Sequence, residues 1–178
     1  MKIRTHSVDE TRAVAAALAA VLRGGDVVVL SGDLGGGKTA FVQGACDALG
    51  VREAVTSPTF AIVQEYVGRI GVVHVDVYRL DTLQELHDLG FDELIDDDRV
   101  TFVEWGDRIR PALPAEHITV DLGLPPGDAV DENERIIGIG AHGPNWSAQA
   151  RRIATALAHH LHPEGSLGAA DPTTADGP

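Results

Sequence analysis

Gly32-Asp33-Leu34-Gly35-Gly36-Gly37-Lys38-Thr39 fits G-x-x-x-x-G-K-[ST] at every constrained position. The apolar run Asp26-Val27-Val28-Val29-Leu30 precedes it and Phe41-Val42-Gln43-Gly44-Ala45 follows. The stretch reads as a phosphate-binding loop. Glycines let successive backbone N–H groups turn toward phosphate oxygens, a lysine reaches the outer phosphates, and a hydroxyl ligates Mg²⁺. The N-terminus of the helix that follows favours the same anion. A glycine-rich turn containing Gly-Lys-Thr by chance would not need those flanks. Lys38 is one of only two lysines, the other being Lys2, so its placement in the loop is informative.

Working outward, Val27 to Leu30 is the continuous apolar run of a strand buried on both faces, and a helix follows to about Leu49 with Gly50 as its stop. Upstream, Ser7 with Glu10 three residues on marks a helix start. Val14, Leu18, Val21 and Leu22 recur at helical spacing before Gly24-Gly25. Downstream, the polar loop Thr56-Ser57-Pro58-Thr59 leads into a strand from Phe60 to about Tyr66. Gly68 to Gly71 then turn into a second strand, Val72 to Val77. Leu83, Leu86 and Leu89 predict a helix closing at Gly90, and Asp96-Asp97-Asp98 a solvated turn. Val100 to Val103 is the next strand and delivers Glu104 and Trp105 at its end. Ile118 to Leu122 and Arg135 to Ile139 form an antiparallel pair across the Pro125-Pro126-Gly127-Asp128 turn region.

The organisation expected is one α/β domain over residues 1–145, an amphipathic helix over 146–162 and a mobile tail over 163–178. On the helix, Trp146, Ala150, Ile153, Leu157 and Leu161 make one stripe that could dock on the core or meet a partner. The tail has a single leucine, Leu167, and cannot bury enough surface to order itself.

At 178 residues the chain has room for one full core. A formal net charge of −13 disfavours direct capture of nucleic acid, which requires clustered Lys and Arg, so any RNA role would work through partners. The single cysteine, Cys46, excludes an intrachain disulfide, reads as a small buried apolar residue and points to a reducing compartment. No run approaches membrane-spanning length and the N-terminus lacks the apolar core of a secretion signal, so the expected location is cytoplasmic, away from membranes.

A phosphate loop needs acids at neighbouring strand tips to hold Mg²⁺ and water. Asp76, after Val72-Val73-His74-Val75, and Glu104, after Val100-Thr101-Phe102-Val103, both qualify, and with Lys38 and Thr39 they make a candidate site. Thr59 has two open readings, a γ-phosphate sensor or a turn hydroxyl. His74 is more often a satisfied core histidine than a catalyst. Tyr78 and Arg79 either position Asp76 or simply pack, and Trp105 is either a binding-surface aromatic or a core residue. Guanine specificity has no support, because Asn133 and Asn145, the only asparagines, do not precede lysine. No Leu-Ser-Gly-Gly-Gln signature occurs either, which leaves ATP as the expected nucleotide.

The loop, then Ser57-Pro58-Thr59, then His74-Val75-Asp76-Val77-Tyr78-Arg79-Leu80, then Val103-Glu104-Trp105 resemble, in order and spacing, the bacterial TsaE (YjeE) family. These are small ATPases required for threonylcarbamoyladenosine formation in tRNA. The resemblance covers roughly residues 5–142. It implies a P-loop NTPase-like open, mainly parallel sheet flanked by helices. It also implies ATP on Leu34, Gly35, Gly36, Gly37, Lys38 and Thr39, and Mg²⁺ held by Thr39 and Glu104. Asp76 would support the metal or its water, Thr59 would sit in a switch-like loop, and Glu10 and Arg135 would lie near the nucleotide. Family members act with the TsaD and TsaB proteins, so tRNA would be met only through the complex. Gly36 stands where an alanine is more usual, a change glycine tolerates. Two other readings belong to different classes: a small-molecule kinase, and a module that uses ATP only to set its shape. A kinase would want an arginine-bearing lid, yet Arg52, Arg69, Arg79 and Arg99 are scattered singly between the loop and Glu104.

Overall fold

The computed structural model describes residues 1–58, 60–125 and 133–160. The strands in chain order are β1 (Lys2–Thr5), β2 (Val27–Ser31), β3 (Val63–Tyr66), β4 (Gly71–Asp76), β5 (Arg99–Glu104), β6 (His117–Gly123) and β7 (Arg135–His142). The helices are α1 (Val8–Ala19), α2 (Lys38–Ala48), α3 (Leu83–Asp88), α4 (Phe91–Leu94) and α5 (Pro144–Ala156), with a 3₁₀ stretch at Gly106–Ala112. Among the described residues these strands form one sheet in the order β1-β7-β6-β2-β5-β4-β3. Its four central strands, β6, β2, β5 and β4, run parallel, while β3, β7 and β1 join antiparallel at the two ends.

The loop-bearing strand β2 lies in the middle, and its valines and Leu30 are buried on both faces as a continuous apolar run requires. On one face Val28, Leu30, Phe102 and Val120 pack under Leu18 of α1, Phe41 and Val42 of α2, and Ile153 and Leu157. On the other, Val29, Val75 and Val103 meet Leu86 of α3, Phe91 of α4 and Ile109. The Cys46 thiol is buried in the first of these cores.

Ser7 caps α1 by accepting the Glu10 amide, as the spacing implies, but the helix ends at Ala19 and the chain turns through Ala20–Arg23 before Gly24-Gly25. The strand expected from Phe60 begins only at Val63, because Ile62 takes a left-handed φ of 65° and breaks the extended run. The second strand runs from Gly71 to Asp76, one residue earlier at each end than the Val72–Val77 reading. The C-terminal helix starts at Pro144, with Ile153 and Leu157 buried against the core. The Trp146 side chain, Leu161 and the 163–178 tail lie outside the described residues, as do the turn residues 126–128.

Candidate functional site

The loop leaves β2 at Gly32, whose φ of 126° suits glycine, and a Cβ there would collide with the carbonyl of Leu122 on β6. The neighbouring strand therefore sets where the loop begins. Lys38, the first residue of α2, is 5% exposed. Its Nζ donates to the carbonyls of Gly32 at 2.7 Å and Asp33 at 2.9 Å, and lies 3.6 Å from the centroid of the Trp105 ring. Burial lowers the pKa of this amine, and the nearby Glu104 and Asp76 carboxylates only partly offset that.

Parallel pairing of β4 with β5 puts Asp76 directly beside Glu104. The Thr39 hydroxyl donates to Oε1 of Glu104 at 2.9 Å, and His74 Nε2 lies 2.9 Å from the same oxygen. Asp76 accepts from the Ser57 hydroxyl at 3.1 Å and from the Tyr78 amide at 3.0 Å. Both acids are buried, at 6% and 3% exposure, yet no lysine or arginine of the described residues forms a salt bridge with either. Buried carboxylates are stable only when compensated, so this pair, with the Thr39 hydroxyl, suits a hard divalent cation that prefers oxygen ligands.

Lys38, Thr39, Asp76 and Glu104 line one cavity of about 400 Å³ with the glycines of the loop, Ser57, Tyr78 and Trp105. On the other bank Arg135, at the start of β7, donates from Nε to the Gly36 carbonyl and from Nη2 to the Gly35 carbonyl, both at 3.1 Å. A second cavity, about 360 Å³, lies between Arg135, Leu34, Leu122 and Leu124. A slightly larger cavity, about 420 Å³, contains no residue of the glycine loop. It opens on the opposite sheet face beside the stacked rings of His117 and His142.

The structure thus brings together Leu34 to Thr39, Asp76, Glu104 and Arg135. Glu10 stands apart: its carboxylate accepts the His6 amide at the exposed start of α1 and lines neither loop cavity. Thr59 lies outside the described residues. Tyr78 reaches Asp76 through its backbone amide, whereas the Arg79 guanidinium sits 4.6 Å from the Phe60 ring centre. Three contacts escaped the sequence reading: Ser57 on Asp76, His74 on Glu104, and Trp105 under Lys38. Ser57 sits inside the quoted Ser57-Pro58-Thr59 and His74 on the right strand face, so both were visible as residues without their partners. Trp105 reaches Lys38 from a left-handed φ of 62°, which no residue pattern announces.

A buried parallel strand, a glycine loop and a helix, with acids at the tips of adjacent strands, define an α/β protein of the P-loop NTPase-like class. The family model described as "Threonylcarbamoyl adenosine biosynthesis protein TsaE" matches residues 5–128. The chain belongs to the TsaE family. It is 43% identical over 121 residues to the tRNA threonylcarbamoyladenosine biosynthesis protein TsaE of Bacillus subtilis, covering 67% of this chain and 75% of the relative. With the protein of the same name from Treponema pallidum it shares 38% over 122 residues, 68% of this chain and 90% of that one. A crystal structure of Bacillus subtilis YdiB superposes with a TM-score of 0.73 at 35% identity, covering 87% of this chain and 94% of the other. Arg135 and α5 lie beyond the stretch that the family model matches. Among the described residues no helix is long and apolar enough to cross a membrane.

Proposed function

We propose that this chain is a Mg²⁺-dependent ATPase of the cytoplasm that serves threonylcarbamoyladenosine formation in tRNA as a subunit beside the TsaD and TsaB proteins. The observation that carries the reading is the meeting of Lys38, Thr39, Asp76 and Glu104 in one cavity walled by the glycine loop. The loop amides and Lys38 would hold the phosphate chain. The Lys38 ammonium now rests on two neutral carbonyls and an aromatic face, and charge-assisted bonds to phosphate oxygens are the stronger alternative. Thr39 and Glu104 would hold the magnesium ion, which when bound neutralises charge gathering on the phosphate oxygens. Asp76, fixed by Ser57 and the Tyr78 amide, would orient water beside it. The net charge of −13 supports leaving the tRNA to the partners.

Phosphate release from ATP, with and without TsaD and TsaB, tests this. We expect slow turnover alone, and losses of roughly 100-fold or more in Lys38→Ala and Glu104→Ala, the size expected for removing a preorganised electrostatic group. Normal turnover in Glu104→Ala would take that acid out of the mechanism. A phosphorylated metabolite formed without free phosphate would instead point to a kinase.

A further inference from the structure

His74 is fully buried, and its Nδ1 is the one buried side-chain polar atom among the described residues that has no hydrogen-bond partner. Packing alone does not account for a polar ring at this position. The neighbours on the same sheet face, Val72 and Phe102, are apolar, and an apolar side chain would fill the space without stranding a nitrogen. The other ring nitrogen supplies the reason. On β4 the His74 side chain shares a face with Asp76, and it reaches diagonally to β5, where Nε2 lies 2.9 Å from Oε1 of Glu104. A carboxylate can only accept, so in this contact Nε2 carries a hydrogen.

We propose that His74 is a positioning residue for the metal-holding acid: its Nε2–H, together with the Thr39 hydroxyl, occupies Oε1 of Glu104 and turns Oε2 to the cavity. This rests on the reading of Glu104 as a magnesium-holding group. Two donors from different elements, α2 and β4, converge on one oxygen, while Oε2 has no hydrogen-bond partner among the described residues. A carboxylate held at one oxygen cannot rotate freely, so its second oxygen is presented in a single orientation. Outer partners of this kind set metal affinity without touching the metal.

Two amide substitutions separate positioning from packing. The terminal amide of His74→Gln extends to the place of Nε2 and can still donate to Glu104, whereas that of His74→Asn stops near the place of Nδ1 and cannot. Calorimetric titration of ADP is run in EDTA and then across a magnesium series. In EDTA both variants should bind like the parent protein. The magnesium concentration for half-maximal tightening should rise about tenfold in His74→Asn and stay within about threefold of the parent in His74→Gln. Equal shifts in the two variants, or none, would overturn the proposal. If magnesium fails to tighten ADP binding in the parent itself, the metal role of Glu104 falls first. Nitrogen-15 NMR of the nucleotide-free parent decides the hydrogen bond without any variant: a protonated Nε2 on His74 supports it, and a bare Nε2 overturns it.

Discussion

Replacing Gly44 with alanine sets two effects of known size against each other. Gly44 is buried in the middle of α2 with ordinary helical geometry, so on propensity alone alanine should stabilise the helix by roughly 1 kcal/mol. A Cβ there would stand 2.5 Å from Cα and 2.8 Å from the carbonyl carbon of Arg12 on α1, and closer still to its oxygen. Those atoms are backbone, so relief requires moving α1 as a whole. Motion of α1 would strain the Arg12 bond to Gln43 at 2.9 Å and loosen Val14 and Leu18 from the core. Overpacking of this kind costs about 1–3 kcal/mol, and a helix backbone that must shift places the cost at the upper end. The expected net loss is about 1–2 kcal/mol, which lowers the melting temperature by about 2–8 °C for a chain of this size. Urea and thermal unfolding, followed by circular dichroism, measure it. A Gly44→Ala protein as stable as the parent or more so would refute the close helix contact.

Asp26 offers a test by pH. Burial pushes its carboxyl up to about 6 from an ordinary 3.8, against the opposing pull of the Arg23 amide and the Arg23 and Arg152 charges. Between those two values the folded chain binds more protons than the unfolded one, so stability falls as pH rises through the window and levels off above it. Asp26→Asn should remove that part of the slope in urea unfolding at pH 4, 5, 6 and 7, and an unchanged slope would contradict the burial. The Cys46 thiol, pushed up to about 12 by burial, should resist aromatic disulfide reagents in the native protein at pH 8 and react at once in denaturant. Arg135→Ala strips two hydrogen bonds from the Gly35 and Gly36 carbonyls. ATP affinity should weaken roughly tenfold with little change in melting temperature, and calorimetry at fixed magnesium reads this directly.

Much of the site was legible in the sequence because its requirements are local. The loop, its lysine and its hydroxyl follow one another in the chain, and Asp76 and Glu104 each end an apolar run that can only be a buried strand. Their adjacency needed one further fact, the parallel register of β4 on β5. What escaped depends on distant pairing or unusual backbone. Lys2–Thr5 is too short to announce a strand, and it becomes one only by lying against β7, far along the chain, where Lys2 pairs with Gly138 and Thr5 with Arg135. Arg135 was anticipated on both counts, in the antiparallel pairing of β7 with β6 and in its place near the loop, but its bonds to the Gly35 and Gly36 carbonyls depend on a register that no residue near it encodes. Glu10 went the other way: its spacing from Ser7 spoke for a helix start, and there the structure places it.

The position of Trp105 under Lys38 has an optical consequence. An indole ring 3.6 Å from an ammonium group, with the Tyr78 ring 4.8 Å away, has an emission spectrum tuned by that charge. The chain contains only two tryptophans, so Trp146→Phe leaves Trp105 as the single indole emitter, placed against the lysine of the loop. Any ligand that draws Lys38 off the carbonyls of Gly32 and Asp33 also draws the charge off the ring, and the protein reports the event through its own light without a label.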